Sequence, residues 1–555
     1  MKRGGLPCQF GPAAFTLLLS ACNSVNPPAG TVEVQLLAIN DLHGTLETPT
    51  SGLPPILPPP AEGPRNIPSG GIARLATLVK QRRASHQHSI MVGAGDLIGG
   101  SPLLSSRFHD EPTVQALTAM GLQLSAVGNH EFDEGAAELR RMQNGGCHPA
   151  TGCQGPIPYE GAGFSYLAAN VIEEQTGNTL FPATAIREFD GVDVGFIGLT
   201  LESTPSLLIP SSRTGLQFSD EIATINQQVT RLRNEGIEAI VVLIHEGGFT
   251  VNGPADCASL SGAITAILPQ LDDAVDVVVS GHTHRAYQCN VDGVLLTSAG
   301  QYGTQLTDIS MTLDRASGDV IGTSAETLVV ATATVAEDPS IAALVDNYRT
   351  LVAPMMQREV GTITTALTRD RNAAGESVLG DVIADAMLAT AELNTGEKVE
   401  IAFMNPGGLR ADIASTSPVR FADLFSVQPF GNTLMVVTLT GSGIEAVLQQ
   451  QFDSEEALIL QVSHGFRYRW QRQGSTMEVV PGSITINGEP LQAERHYRIA
   501  TNNFVAEGGD GFTAFMAATD PTPAGGDVEA LEAYLSKQSP FSPPPTGRIT
   551  LERTR

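Results

Sequence analysis

Five short polar motifs in the first half of the chain each follow a run of β-branched and apolar residues. The motifs are Asn40-Asp41-Leu42-His43-Gly44, Gly93-Ala94-Gly95-Asp96, Gly128-Asn129-His130-Glu131-Phe132-Asp133, His245-Glu246-Gly247-Gly248 and Ser280-Gly281-His282-Thr283-His284. The preceding runs have the composition of β-strands. Because open α/β sheets bind ligands beyond the carboxyl ends of their strands, the motifs are predicted to converge in space.

The rest of the pattern predicts two α/β domains. Predicted strands in the first half are Val34–Ile39, Ser89–Val92, Leu124–Val127, Val192–Leu199, Ala239–Ile244 and Val275–Val279, and predicted helices are Ile72–Arg83, Glu221–Asn234 and Ser261–Leu268. Their alternation indicates a layered α/β domain over residues 31–337. A helical linker at 338–358 then leads to a second α/β domain at 359–552. That domain is predicted from helices at Glu376–Leu393 and Gly441–Phe452 and strands at Val399–Phe403, Leu434–Leu439 and Tyr497–Ala500.

The motifs contain the side chains of a divalent-metal site. Carboxylate, imidazole and amide oxygen suit zinc, manganese or iron, and no thiolate occurs among them. Asp41 and His43 are two residues apart, as are His282 and His284. In an extended strand end this spacing places both side chains on one face. A single motif of this kind is usually incidental, but five in one domain predict a metal centre.

The net charge of −27 limits the classes of molecule that the protein is expected to bind. A nucleic-acid polymer is held by a cationic surface, so the acidic balance argues against one. A small phosphorylated ligand remains compatible, because metal ions and a few arginines can supply local positive charge.

Residues 1–22 have the pattern of a signal peptide, with Met-Lys-Arg at the start and an apolar run from Ala13 to Leu19 that is too short to span a bilayer. The following Leu19-Ser20-Ala21-Cys22 resembles the lipobox of bacterial lipoproteins, which predicts a periplasmic or cell-surface protein lipid-anchored at Cys22. Ordinary secretion is the alternative.

Four cysteines lie outside the signal segment, and an even number in an exported chain suggests two disulfides. They are Cys147, Cys153, Cys257 and Cys289. Three pairings are possible. The simplest joins Cys147 to Cys153 and Cys257 to Cys289.

Two phenylalanines of the second domain lie in predicted loops, where they are not part of the apolar pattern of a helix or a strand. Phe430 lies in Gln-Pro-Phe-Gly-Asn and Phe504 in Asn-Asn-Phe. Two such rings could hold a flat base by stacking, which tolerates any base because each has a π-face.

The ordered motifs resemble those of calcineurin-like metallophosphoesterases, and together with the second domain the chain resembles the 5′-nucleotidase family. The resemblance implies a metallophosphoesterase sandwich joined to a substrate-binding domain. It also implies two divalent ions, one bound by Asp41, His43, Asp96 and His284 and the other by Asp96, Asn129, His245 and His282. At the position of His284 some family members carry Gln or Asn, so ion preference can differ.

By the same resemblance, His130 is the catalytic residue outside the metal sites and Asp133 orients its ring. A metal-activated hydroxide would attack phosphorus while His130 stabilises charge or protonates the leaving oxygen. Phe430 and Phe504 would clamp the base, and the polar substrate contacts would be Asn405, Arg410, Asp510 and Arg371, the last with uncertain spacing.

The predicted function is therefore hydrolysis of phosphate from nucleotides. On the same fold, the alternatives are a 2′,3′-cyclic-nucleotide phosphodiesterase with 3′-nucleotidase activity and a UDP-sugar hydrolase. A binding protein without turnover is disfavoured because binding needs neither His130 nor Asp133. The sequence leaves the preferred nucleotide, the physiological ion and the oligomeric state open.

Overall fold

A computed structural model describes residues 30–49, 66–208, 210–414, 418–453, 457–474 and 476–552. The predicted signal segment and Cys22 lie outside these residues. Within them, the helices are all too short or too polar to cross a bilayer.

Two six-stranded sheets form the centre of the first domain. In spatial order, one contains Val320–Val329, Gln305–Asp314, Thr31–Ile39, Ser89–Ala94, Leu124–Ala126 and Ser165–Leu167. The other contains Ala286–Val291, Val294–Ala299, Val277–Ser280, Ala239–His245, Val192–Thr200 and Thr184–Phe189. Each sheet has a parallel centre. The second sheet has antiparallel strands at both edges, whereas in the first sheet only Gln305–Asp314 and Val320–Val329 are antiparallel and the edge strand Ser165–Leu167 is parallel. A small ribbon pairs Val171–Glu173 with Leu216–Phe218.

The sheets face each other across an apolar layer. Alternate residues of the strand Thr31–Ile39, such as Val34 and Leu36, meet Phe196 and Val241 from the opposite sheet, and all are almost fully buried. The intervening residues of these strands face the helices, so both faces of each sheet are covered. This explains why the central strands are continuous apolar runs.

Helices cover the outer faces of the sandwich. They are Ile72–Arg83, Leu103–Ser106, Glu111–Met120, Gly135–Asn144, Pro210–Arg213, Glu221–Asn234 and Ile264–Ile267, with single 3₁₀ turns at His130–Phe132, Thr204–Leu207, Cys257–Ser259 and Leu268–Gln270. Helix 72–83 buries Ile72, Leu75, Ala76 and Val79, which have the spacing of one helical face. Asp220 caps helix 221–234 by accepting a hydrogen bond from Ala223 N.

The helix predicted at Ser261–Leu268 is wrong in its first half. Ser261 forms a β-bridge with Phe249, and Gly262 has φ of 102°, so helical structure begins only at Ile264. The backbone hydrogen bonds of Ser261 are therefore used across the loop and cannot continue a helix.

The second domain contains two five-stranded sheets and packed helices. One sheet has the order Gln461–Val462, Ile401–Met404, His496–Asn502, Thr433–Thr440 and Thr519–Gly526. The other contains Thr476–Val479, Phe466–Gln473, Thr485–Ile486 and Glu489–Pro490, with Ile549–Glu552 beside Phe466–Gln473. A ribbon joins Glu359–Gly361 to Val419–Arg420. The helices are Val378–Thr395, Phe421–Val427, Gly441–Gln450, Asn503–Ala506 and Asp527–Lys537, and 3₁₀ turns lie at Pro406–Gly408, Gly509–Gly511 and Thr513–Ala517.

The helix Pro339–Met356 connects the two halves and packs on the first. Tyr348 stacks edge-on against Phe108, and its hydroxyl donates to Gln115 Oε1 at 3.0 Å. The core is continuous from this helix into the second domain. The disulfides join Cys147 to Cys153 and Cys257 to Cys289, which confirms the simplest of the three pairings.

Candidate metal centre and substrate cleft

The five polar motifs meet at the carboxyl ends of the central strands of both sheets, as their order predicted. Strand alternation, however, is not the reason that paired side chains converge. Asp41, His43, His282 and His284 have φ values of 48°, 46°, 71° and 57°, so they lie in left-handed turns beyond the strands. Non-glycine residues rarely adopt this conformation, and such strain is concentrated at functional sites.

Three side chains form the first group of potential ligands. His284 Nε2 lies 3.0 Å from His43 Nε2 and 3.4 Å from Asp41 Oδ1. Donor atoms about 2.1 Å from one ion have mutual separations of this size. Asn40 Nδ2 and the His282 backbone N–H donate to the Asp41 carboxylate and fix its orientation.

The second group consists of Asn129, His245 and His282. Asn129 Oδ1, His245 Nε2 and His282 Nδ1 are buried, and within the described residues none of them makes a hydrogen bond of good geometry, although His245 Nε2 lies 2.9 Å from Asp96 Oδ2. A buried polar atom without a partner is costly and unusual. Three in one cluster are consistent with donors that face a cation.

Asp96 lies between the groups. Its Oδ2 is 3.7 Å from His43 Nε2 and 2.9 Å from His245 Nε2, while its Oδ1 accepts a hydrogen bond from the His130 backbone at 2.8 Å. Asp96 has φ of 49° and follows Gly95 at 81°. A Cβ at Gly128 would lie 2.2 Å from Asp96 Oδ1, so the close approach of these two turns requires glycine there.

Hydrogen bonds to backbone carbonyl groups occupy one ring nitrogen of His43 and of His245 and leave the other nitrogen available. His43 Nδ1 donates to Gly99 O and His245 Nδ1 to Ala94 O, both at 2.8 Å, which directs Nε2 into the cluster. Burial lowers the pKa of His43, His284 and His282, in the last case to about 3. Burial also lowers the pKa of His245, but the charge of Asp96 outweighs it and raises that pKa to about 10.

These residues fit two divalent ions. The donors are carboxylate, imidazole and amide, one carboxylate lies between two groups, and three imidazoles are held in the neutral form that binds metal. The structure brings the Asp and His side chains of the five motifs into one cluster, and the assignment of particular ligands to particular ions stays a prediction.

His130 lies beside this cluster and is oriented by Asp133. His130 Nδ1 is 3.0 Å from both carboxylate oxygens of Asp133, so Asp133 fixes the orientation of the ring. Burial lowers the pKa of His130, but the charges of Asp133 and Asp96 outweigh it and raise that pKa. The Phe430 ring stacks on His130 with centroids 5.6 Å apart.

A cavity of about 330 Å³ runs from this cluster into the second domain. Phe430, Phe504, Asn405, Arg410 and Asp510 all line it, together with His130, Asn129 and His282. Phe504 lies flat against Gly509, where a Cβ would be 2.5 Å from the ring. Asn405 donates to Asp510 Oδ2 at 2.7 Å, and Arg410 Nη2 reaches to 3.3 Å from His43 Nε2.

Arg371 lines a different space. A neighbouring cavity of about 310 Å³ has three arginines, Arg369, Arg371 and Arg410, with His284 and Tyr302 at its wall. Arg410 lines both cavities, so the two lie next to each other. Arg369 and Tyr302 were not expected from the sequence, since neither belongs to one of the five motifs.

A second His–Glu cluster at the rim of the cleft is poorly arranged for an ion. The rings of His109 and His148 are stacked 3.9 Å apart and 9° from parallel, so their lone pairs do not converge. Glu138 is already paired through both oxygens with Arg141. Thr151 bonds to both rings, and the cluster thereby attaches the loop closed by the Cys147–Cys153 disulfide to the rim.

Comparisons with known proteins agree with this architecture. The family model of calcineurin-like phosphoesterases matches residues 34–286, and that of the 5′-nucleotidase C-terminal domain matches residues 359–517. The 5′-nucleotidase precursor of Thermus thermophilus has a similar structure, with a TM-score of 0.77, 27% identity, and coverage of 94% of this chain and 100% of that one.

Two bacterial relatives match almost the whole chain. The cell wall protein Lmo0130 of Listeria monocytogenes is 31% identical over 92% of this chain and 68% of its own length. The endonuclease YhcR of Bacillus subtilis is 30% identical over 94% of this chain, which spans only 41% of that protein. The chain therefore belongs to the 5′-nucleotidase family of metal-dependent phosphoesterases, with a calcineurin-like phosphoesterase domain followed by a 5′-nucleotidase C-terminal domain.

Proposed function

We propose that this protein is an exported hydrolase that removes phosphate from nucleotides with the help of two divalent ions. The observation that best supports the proposal is a single cavity that has the metal-ligand cluster at one end and Phe430 and Phe504 on its walls. A phosphate at the cluster and a base at the phenylalanines would both be accommodated. A simple phosphatase would have no use for the aromatic part.

Each part of the cleft has a role in this proposal. Asp41, His43, Asp96 and His284 hold one ion, and Asp96, Asn129, His245 and His282 hold the other. When bound, such ions lower the pKa of water and offset charge on the phosphoryl oxygens. Arg410 lies close enough to His43 to bind the phosphate. The Asn405–Asp510 pair is placed to contact the ribose or base, and His130 acts on the leaving oxygen.

The arginine-lined cavity supports a second candidate substrate class. Arg369 and Arg371 lie next to His284, beyond the site proposed for the reacting phosphate. Additional phosphates would be stabilised there, as in nucleoside triphosphates or UDP-sugars. Of the alternatives, UDP-sugar hydrolysis therefore receives more support from the cleft than 2′,3′-cyclic-nucleotide hydrolysis.

The test is phosphate release by protein that has been stripped with a chelator and reloaded with zinc, manganese, magnesium or cobalt. Substrates would be AMP, ATP, UDP-glucose, 3′-AMP, 2′,3′-cyclic AMP and a non-nucleotide phosphomonoester. We expect activity only after metal addition and a clear preference for nucleotides. Phe504→Ala should raise KM for AMP roughly 5- to 100-fold, because stacking on a base contributes about 1–3 kcal/mol.

Phe249→Ala is the matched control, because this phenylalanine is 37% exposed and lies outside the cleft lining. Its KM should match that of the unchanged protein. Equal turnover of the non-nucleotide ester would exclude a role for the phenylalanines in recognition. No turnover with any ion would exclude the hydrolase proposal and leave nucleotide binding.

We also propose that residues 1–22 direct export and that Cys22 becomes the lipidated first residue of a mature protein with domains at 31–337 and 359–552 and a linker at 338–358. A cell-wall location in the name of the Listeria relative is consistent with export. Mass spectrometry of protein from a bacterial host that processes lipoproteins should find an N-terminal acylated Cys22. A mature N-terminus at another residue would contradict lipidation. The same conclusion would follow if the Cys22→Ser variant were released from the membrane no more than the unchanged protein.

A further inference from the structure

The motif that contains Asn129, His130 and Asp133 also contains Glu131, which has no role in the mechanism above. Glu131 is 3% exposed and borders the cleft, but among the described residues it belongs to none of the groups of side chains that could hold an ion. Its Oε2 accepts hydrogen bonds from Asp96 N at 2.8 Å and Gly128 N at 2.6 Å, and its Oε1 accepts one from Leu97 N at 2.8 Å. One carboxylate therefore receives three backbone N–H groups.

Those three amides belong to two turns that carry proposed ligands. Asp96 and Leu97 follow the strand Ser89–Ala94, whereas Gly128 follows the strand Leu124–Ala126 and directly precedes Asn129. The left-handed backbone at Gly95 and Asp96 points successive N–H groups away from the ligand side chains and toward Glu131. The Glu131 carboxylate thus fixes the distance between the turn of Asp96 and the turn of Asn129.

Among the described residues, no lysine or arginine forms an ion pair with Glu131. Its carboxylate therefore has the backbone N–H groups of the two turns as its direct partners.

We propose that Glu131 is a positioning residue, which holds the Asp96 and Asn129 turns together and thereby sets the affinity and geometry of the second ion. It touches neither ion nor substrate. The proposal deepens the function proposed above, but its central readout, ion binding, does not depend on which substrate is hydrolysed.

Glu131→Gln tests this proposal, because an amide retains the shape but replaces one acceptor by a donor and removes the charge. In calorimetric titrations of the metal-free full chain, we expect affinity for the second zinc or manganese ion to fall about 10- to 100-fold, as is typical when a group supporting a ligand is lost. Without metal, hydrogen exchange should become faster in the segments 95–98 and 127–129. With metal, kcat should fall while KM for AMP changes less than about threefold, because the base site is in the other domain.

Glu376→Gln is the matched control. Glu376 is also a fully buried glutamate whose carboxylate accepts backbone N–H groups, but these belong to Gly547 and Arg548 of the second domain and to neither ligand-bearing turn. Its ion affinity should stay within threefold of the unchanged protein. An equal loss in both variants would mean a general effect of charge and would overturn the positioning role.

Other outcomes are equally decisive. Wild-type ion affinity in Glu131→Gln, an effect on KM alone, or a lower melting temperature without an affinity change would each overturn the proposal. If Glu131→Gln does not fold, Glu131→Asp is the second test, because this side chain is one methylene too short to reach both turns. Wild-type ion affinity in Glu131→Asp would also overturn the proposal. If no nucleotide is hydrolysed but Glu131→Gln still loses the second ion, the function fails and the positioning role stands.

Discussion

Asp96→Asn is expected to lower kcat about 10³-fold and to leave the protein with fewer than two bound ions. Asp96 Oδ2 lies between His43 Nε2 and His245 Nε2, so among the described residues Asp96 is the carboxylate that belongs to both donor groups. An amide keeps one oxygen acceptor but loses the charge and the second equivalent oxygen. Metal ions contribute several kcal/mol to transition-state stabilisation, and each 1.36 kcal/mol is a factor of ten in rate.

The measurement is metal content by mass spectrometry after exhaustive dialysis, together with kcat for AMP. Asp276→Asn is the matched control, since Asp276 precedes the strand Val277–Ser280 of the other sheet, at the end away from the metal cluster, and accepts a hydrogen bond from Ile240 N at 2.9 Å. This variant should retain both ions and its kcat. Two ions and undiminished turnover in Asp96→Asn would rule out a bridging role for Asp96.

The sequence was sufficient to predict that the proposed ligands converge, because each of them follows a strand that is recognisable as an apolar, β-branched run. Helices 72–83 and 221–234 were predicted to the residue, since their apolar spacing and flanking residues are unambiguous. What could not be predicted is how Asp41 and His43 come together. Their convergence depends on left-handed turns that tertiary contacts stabilise, for example the hydrogen bond from Tyr302 N to Asp41 O.

The antiparallel strands 286–329 were missed although a signal was available. Asp292-Gly293 joins Ala286–Val291 to Val294–Ala299 with φ of 51° and 101°, and an Asp-Gly pair between apolar runs is a typical hairpin turn. The arginine-lined cavity, in contrast, has no comparable signal in the sequence. Its wall combines Arg371 with Tyr302, which are distant in sequence and lie outside any motif. Such a site depends on how two domains pack, which local sequence patterns do not determine.

His130→Ala is expected to lower kcat for AMP roughly 10²- to 10⁴-fold, the usual contribution of a positioned acid or base, while KM changes little. The loss arises because His130 Nδ1 is held by Asp133 and its ring lines the cleft. Asp133→Asn should cost about tenfold, since an amide can still accept from His130 but supplies no charge. The raised pKa of His130 keeps a proton available near neutral pH, and without Asp133 that pKa should fall, so the alkaline limb of the pH profile should move to lower pH.

A comparison of leaving groups separates the two possible roles of His130. An aryl phosphate leaves as a weakly basic phenolate that needs no proton, whereas the 5′-oxygen of AMP does need one. If His130 protonates the leaving oxygen, His130→Ala should impair AMP hydrolysis at least tenfold more than aryl phosphate hydrolysis. Equal losses would instead assign His130 to stabilising charge on the phosphoryl oxygens. Loss of a bound ion in this variant would contradict both roles, because it would place His130 among the metal ligands near His43 and Asp96.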